Sequence, residues 1–217
     1  LNDIKYIAVE GVIGAGKTSL ARKLGERLDA KLILEKFEEN PFLKRFYDDP
    51  KHYAFHTQTY FLLSRFKQLT AETKSDLFHN YIVSDYIFEK DKIFAYLNLN
   101  DDELDLYERI VASIEKSIIT PDLIVYLQNS TERLLANIKF RDRDYERNIQ
   151  EDYIKNLNDA YNYYFFRYKK SKLIIVNASE IDFVNNEKEF EDLFNEITKP
   201  VHAAIEYYDP VNKRLAR

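Results

Sequence analysis

Cysteine, methionine and tryptophan are all absent from the 217 residues. Without a thiol there is no disulfide framework, no zinc–thiolate centre and no cysteine nucleophile. That removes disulfide-stapled secreted scaffolds and thiol enzymes, and it makes a reducing, cytoplasmic home the expectation. Long apolar runs are lacking as well. No stretch approaches the roughly 18 continuous apolar residues of a membrane helix, and residues 1–9 are too short and too charged for a secretion signal, so no membrane partner is expected. An excess of positive charge is also missing: 32 Lys and Arg against 37 Asp and Glu leave a net charge of −5, spread along the chain. Nothing there would grip a nucleic acid in general, so an anionic ligand must meet a local site.

Glycine is the most telling shortage. Average usage of about 7% would place roughly 15 in a chain of this length, and only four are present. Three of them, Gly11, Gly14 and Gly16, fall within six residues, as a backbone requires where it turns tightly or meets a ligand without a Cβ in the way.

What is present describes a folded enzyme-sized domain. Apolar residues make up 45% and aromatics 15%, enough for a core, and the length suits one α/β domain. Short apolar runs at residues 4–9, 31–34, 81–83, 123–127 and 173–176 alternate with helical patterns at 17–28, 42–69, 101–119 and 151–168. Asp48-Asp49-Pro50 interrupts the second pattern. The expectation is an α/β fold with a five-stranded parallel sheet flanked by helices, occupying residues 1–200, and a tail of unknown role at 201–217.

Gly11-Val12-Ile13-Gly14-Ala15-Gly16-Lys17-Thr18 satisfies GxxxxGK[ST] between an expected strand and an expected helix, followed by Ser19. Backbone N–H groups at a helix N-terminus would cradle the phosphates of ATP, Lys17 would reach the β and γ phosphates, and the Thr18 hydroxyl would bind Mg²⁺. A chance glycine-rich turn is the plainer alternative, and the flanking elements weigh against it. No NKxD sequence follows, and the chain is short for a motor or helicase, which favours a small-molecule kinase.

Glu35 ends the second apolar run, at the sheet edge where ligands of such folds bind. A carboxylate there could accept the proton of an attacking hydroxyl, although a lone strand-end Glu is more often simply solvated. Further along stand Tyr47, Gln58, Phe61 and Arg65. Gln58 and Arg65 lie about two helical turns apart on one face, and Gln offers the paired donor and acceptor that a nucleobase edge needs. For Phe61, pocket wall and core packing stand equal.

The order Glu35, Tyr47, Gln58, Arg65 resembles the deoxyribonucleoside kinase family, which includes deoxycytidine, deoxyguanosine and bacterial deoxyadenosine kinases. The resemblance covers roughly residues 1–200. It implies the P-loop kinase fold with an arginine-rich lid, ATP as phosphate donor, Mg²⁺, a small-molecule deoxynucleoside as acceptor and a homodimer. By the same resemblance Glu35 is the catalytic base, Tyr47 holds the sugar 3′-hydroxyl, and Gln58 and Arg65 read the base.

Ser84-Asp85-Tyr86 through Asp91 is similar to the family's segment of acidic residue, Arg, Ser and later Asp. Asp85 then belongs near Mg²⁺, and Asp91 pairs with Arg65. Tyr86 stands where the family has Arg, which leaves open whether Lys90, Lys92 or a lid arginine compensates. Arg141 and Arg143 resemble the lid catalysts, Glu146 the residue that helps hold the 3′-hydroxyl, and Asp142 replaces the usual lid Gly. Asp182 and Phe183 fall where the family's adenine-contacting loop lies. Thymidine-accepting members lack the Arg–Asp pair, so the resemblance implies a poor thymidine substrate and leaves deoxycytidine possible. The likeness of Asn40-Pro41-Phe42-Leu43 and Tyr53-Ala54-Phe55 to bacterial purine kinases makes deoxyadenosine or deoxyguanosine the expected substrate. The alternatives are a thymidylate-type nucleoside monophosphate kinase, which Glu35 opposes by repelling an acceptor phosphate, and a non-catalytic ATP-binding module.

Overall fold

The computed structural model describes residues 3–73 and 78–210. Its first strand, β1 (Tyr6–Gly11), is buried along its whole length, as a central strand covered on both faces must be. It is followed by β2 (Lys31–Ile33), β3 (Ile82–Ser84), β4 (Leu123–Gln128), β5 (Lys172–Asn177) and β6 (Ile205–Tyr208). They form one sheet in the order β2-β3-β1-β4-β5-β6, and every pairing is parallel.

The sheet thus has six strands where five were expected. The sixth comes from the stretch assigned to a tail: residues 205–208 pair with 173–176 of β5. Its exposed Ile205 and Tyr207 alternate with the more buried Glu206 and Tyr208. Such a short, half-polar segment carries little strand signal of its own, and pairing with β5 decides its conformation. Of the expected tail, residues 211–217 lie outside the described residues.

The helices are α1 (Lys17–Leu28), α2 (Leu43–Asp48), α3 (Pro50–Glu72), α4 (Lys90–Asn98), α5 (Asp101–Ile114), α6 (Thr131–Arg141), α7 (Glu151–Phe165) and α8 (Glu187–Ile197). Asp49, with φ −145° and ψ 79°, separates α2 from α3, and Pro50 opens α3 at a position where its missing N–H costs nothing. The expected helix at 101–119 stops at Ile114, and α4 adds a helix that the periodicity did not reveal. The principal core packs α7 on the sheet through an aromatic stack, with the Tyr126 and Phe165 rings 4.4 Å apart. A second cluster around Leu62, Leu69, Tyr86 and Tyr107 joins α3 and α5 to the edge of the sheet. Among the described residues no helix is long and apolar enough to cross a membrane.

The order matters for function. From β1 the chain steps outward to β2, returns to β3 beside β1, and then crosses to β4 on the other side. That reversal opens a crevice at the carboxyl end of β1.

Candidate active site

The phosphate loop leaves β1 into this crevice. Gly14 and Gly16 have φ of 88° and 90°, which other residues rarely adopt, and a Cβ on Gly14 would lie 2.7 Å from the Leu134 carbonyl oxygen. Both positions therefore need glycine. Gly16 caps α1 without a side-chain acceptor, so the first N–H groups of the helix are left for a ligand. Lys17 Nζ donates to the Val12 carbonyl at 3.1 Å. Asn137 braces the loop from α6 by donating to the Gly14 carbonyl at 2.8 Å. A concave loop with no Cβ, a helix N-terminus and a lysine folded over it fits a polyphosphate.

Asp85 ties this loop to the acceptor side. Its Oδ2 accepts from the Thr18 hydroxyl at 2.5 Å, and its Oδ1 accepts from the Glu35 backbone N–H at 2.7 Å. A hydroxyl and a carboxylate suit a hard cation, and among the described residues no three His, Cys, Asp or Glu side chains gather to cage one. The Thr18 hydroxyl and Asp85 carboxylate oxygens fit Mg²⁺, a hard cation that commonly keeps few protein ligands and completes its shell with phosphate oxygens and water.

Glu35, just beyond β2, sits in an ionic network. Its Oε1 accepts from Arg65 Nε at 2.8 Å and Nη2 at 2.5 Å, and its Oε2 accepts from Lys90 Nζ at 2.5 Å. Burial works against the charged form, but the Arg65 and Lys90 charges outweigh it and hold the carboxyl far below the usual range. Arg65 Nη1 reaches Asp91 Oδ1, whose Oδ2 accepts from the Tyr107 hydroxyl at 2.8 Å. Gln58, two turns before Arg65 on the same face of α3, donates to the Asp91 backbone carbonyl at 2.7 Å. The guanidinium of Arg65 lies over the Phe61 ring, 4.7 Å from its centroid.

The turn after α6 closes the pocket from above. Arg141 grips Glu146 with two bonds, of 2.7 and 2.5 Å, and Arg143 stands 3.8 Å from the same carboxylate and 4.4 Å over the Phe37 ring. The Tyr145 ring stacks on Tyr47 at 6.4 Å. Asp142 is left-handed, with φ 43°, and its carboxylate accepts from Arg147 at 3.0 and 3.1 Å.

One pocket brings together most of the expected residues. Lys17, Thr18 and Ile13 line it from the phosphate loop, Glu35 and Asp85 from the strand ends, Tyr47, Gln58, Phe61 and Arg65 from α2 and α3, and Arg141, Arg143 and Glu146 from the lid. Phe61 is therefore wall. Asp91 does not reach the pocket and stands behind Arg65, fully buried. Val12 and Ala15 are packed into the core, and Gly11 meets Leu127 of β4. Asp182 and Phe183 line no part of this pocket. Phe183 packs under Gly16, and the Asp182 carboxylate closes its own turn by accepting from the Val184 and Asn185 N–H groups.

A family model described as deoxynucleoside kinase matches residues 7–202. The chain belongs to the deoxynucleoside kinase family. A deoxyguanosine kinase of Bacillus subtilis (strain 168) is 33% identical over 198 residues, which cover 88% of this kinase and 95% of that protein. A deoxyadenosine kinase of Dictyostelium discoideum is 36% identical over 159 residues, covering 72% of this chain and 64% of that one. Among solved structures, the deoxyadenosine kinase of M. mycoides with bound dATP superposes with a TM-score of 0.77 at 26% identity, covering 89% of this chain and all of that one.

Two features of this kinase escaped the reading of its sequence. Glu10, fully buried at the end of β1, accepts from the Gly11 and Ile87 N–H groups at 2.9 Å each, locking the phosphate loop to the segment after β3. An acid closing an otherwise apolar strand was the available signal. Tyr107 lies on the inner side of an ordinary amphipathic helix, and no local pattern marks it as the partner of Asp91.

Proposed function

We propose that the protein transfers the γ-phosphoryl group of ATP to the 5′-hydroxyl of deoxyadenosine or deoxyguanosine, giving ADP and the 5′-monophosphate. The observation that carries this reading is the placement of Glu35: a carboxylate tethered through Asp85 to the phosphate loop, in one pocket with Gln58 and Arg65. The acceptor oxygen attacks the γ-phosphorus as the bond to the ADP oxygen breaks, and the hydroxyl proton passes to Glu35. Because the Glu35 carboxyl is held so acidic, its larger contribution is to align the hydroxyl, in keeping with a loose transition state in which positioning dominates. Lys17, Arg141 and Arg143 supply positive charge to the transferring group. Tyr47 and Glu146 take the sugar 3′-hydroxyl, for which Glu146 must leave its clasp on Arg141. Thr18 and Asp85 would hold Mg²⁺, which neutralises phosphate charge when bound. Asp182 and Phe183 flank the adenine of ATP.

The Arg65–Asp91 pair supports adenine, guanine or cytosine over thymine, whose 5-methyl group it would crowd. Relatives named as deoxyguanosine and deoxyadenosine kinases support the purine half. A cytoplasmic homodimer is part of the same reading, supported by the lack of cysteine and by the family resemblance. The test is kcat/KM for the four deoxynucleosides with ATP and Mg²⁺. Deoxyadenosine or deoxyguanosine should lead and thymidine trail by orders of magnitude. Thymidine as the best substrate would reject the base assignment, and no ADP release with any of them would reject the function.

A further inference from the structure

Glu35 has two oxygens and room for about four hydrogen bonds. Arg65 fills Oε1 with two of them, while Lys90 donates to Oε2. One acceptor position remains, and it lies on the oxygen that Lys90 holds. Whatever hydroxyl Glu35 receives must meet Oε2, whose direction is set by the Lys90 ammonium rather than by Arg65.

The neighbouring groups leave no other candidate among the described residues. Tyr86, at the place of the family arginine, is buried and turns its hydroxyl to Gln68 Oε1 at 2.8 Å, while Gln68 donates to the Leu34 carbonyl at 3.1 Å. It braces the end of β2 without touching Glu35. Lys92 is engaged with Glu115 at 2.6 Å, and the lid arginines with Glu146 and Asp142. Lys90 is itself almost wholly buried, opens α4, and lines the pocket close enough to Lys17 to help lower its pKa. A buried ammonium is retained only against a strong partner, and Glu35 is the one it meets.

We propose that Lys90 is a positioning residue for phosphoryl transfer: it fixes Oε2 of Glu35 toward the acceptor hydroxyl. The inference rests on the proposed nucleoside kinase activity. A lysine serves here because the job is to pin one oxygen with a point charge, whereas the planar fork of Arg65 is already committed to the other oxygen and to Asp91.

The experiment compares Lys90→Met, Lys90→Arg and Lys92→Met with the parent by steady-state kinetics on deoxyadenosine and deoxyguanosine, with nucleoside affinity measured by calorimetry. A misdirected carboxylate costs rate and spares binding, so Lys90→Met should lower kcat about 30- to 100-fold with KM and affinity within about threefold. Lys90→Arg should restore kcat to within about fivefold of the parent, and Lys92→Met should match it. Should Lys90→Met fail to fold, Lys90→Gln carries the same expected split. An active parent whose Lys90→Met variant keeps kcat within about twofold, or whose loss appears equally in KM and is not restored by Lys90→Arg, overturns the inference alone. A parent that phosphorylates no nucleoside overturns the proposed function and this inference with it.

Discussion

The two sides of the crevice are made of different material. On the phosphate side, main-chain N–H groups, two left-handed glycines and a helix terminus shape the cradle, and its lysine has a backbone carbonyl as its hydrogen-bond partner. On the acceptor side the shape comes from side chains. Glu35, Arg65, Lys90 and Asp91 hold one another through buried ion pairs drawn from the β2 end, α3 and α4. A backbone cradle tolerates loss of a side chain and keeps its form. A buried ionic cluster does not, because removing either inner member, Glu35 or Arg65, leaves Lys90 or Asp91 charged and unpaired.

The largest expected effect follows from that contrast. Arg65→Met should strand the Asp91 carboxylate, leave Glu35 with Lys90 alone, and lower stability by about 3–5 kcal/mol in urea unfolding, with kcat/KM for the preferred nucleoside falling by up to about four orders of magnitude. Lys17→Ala should weaken ATP binding and turnover together while changing stability by less than about 1 kcal/mol, since it removes a desolvated charge and one backbone hydrogen bond. Equal stability losses from the two substitutions would erase the distinction between the sides.

The same contrast explains how much could be read beforehand. Residues 11–18 announce the phosphate loop because a backbone cradle needs contiguous residues, and glycine is scarce elsewhere. The β1–α1 unit was legible for the same reason. Glu35 at a strand end and Gln58 and Arg65 on one helix face were visible singly, but only their order along the chain joined them into one site, since side chains 30 residues apart leave no local pattern when they converge. The bond from Arg65 to Glu35 was not foreseen, nor was the tie of Glu146 to Arg141, which depends on a left-handed Asp142 turning the lid back on itself. The sixth strand was missed because pairing, not propensity, makes it.

A smaller effect sharpens the description of the phosphate side. Burial, with Lys90 nearby, lowers the Lys17 pKa to about 8. Its folded value lies below the usual lysine value near 10.4, so the ligand-free protein loses this charge as the pH rises through about 8. An arriving polyphosphate favours the charged form and should draw the proton back. At pH 9 ATP binding should therefore take up a fraction of a proton, read by calorimetry in buffers of different ionisation enthalpy. Binding without proton uptake would contradict this.

The smallest expected change is in the lid. Asp142→Gly relieves a left-handed conformation that costs a non-glycine residue, but it gives up the solvent-exposed pairing with Arg147. The two nearly cancel, and Tm should move by no more than about 2 °C. A larger fall would mean that the Asp142–Arg147 pair carries the lid.

The proposed phosphoryl transfer turns on Glu35 acting at the acceptor. Glu35→Gln keeps the size of the side chain and one oxygen for Arg65, and it removes the charge that aligns the hydroxyl and the capacity to take its proton. Measured with calorimetry for nucleoside binding and a coupled assay for ADP release, the variant should bind within about threefold of the parent and lose about 10²- to 10⁴-fold in kcat. Turnover within a few-fold of the parent would contradict the assignment.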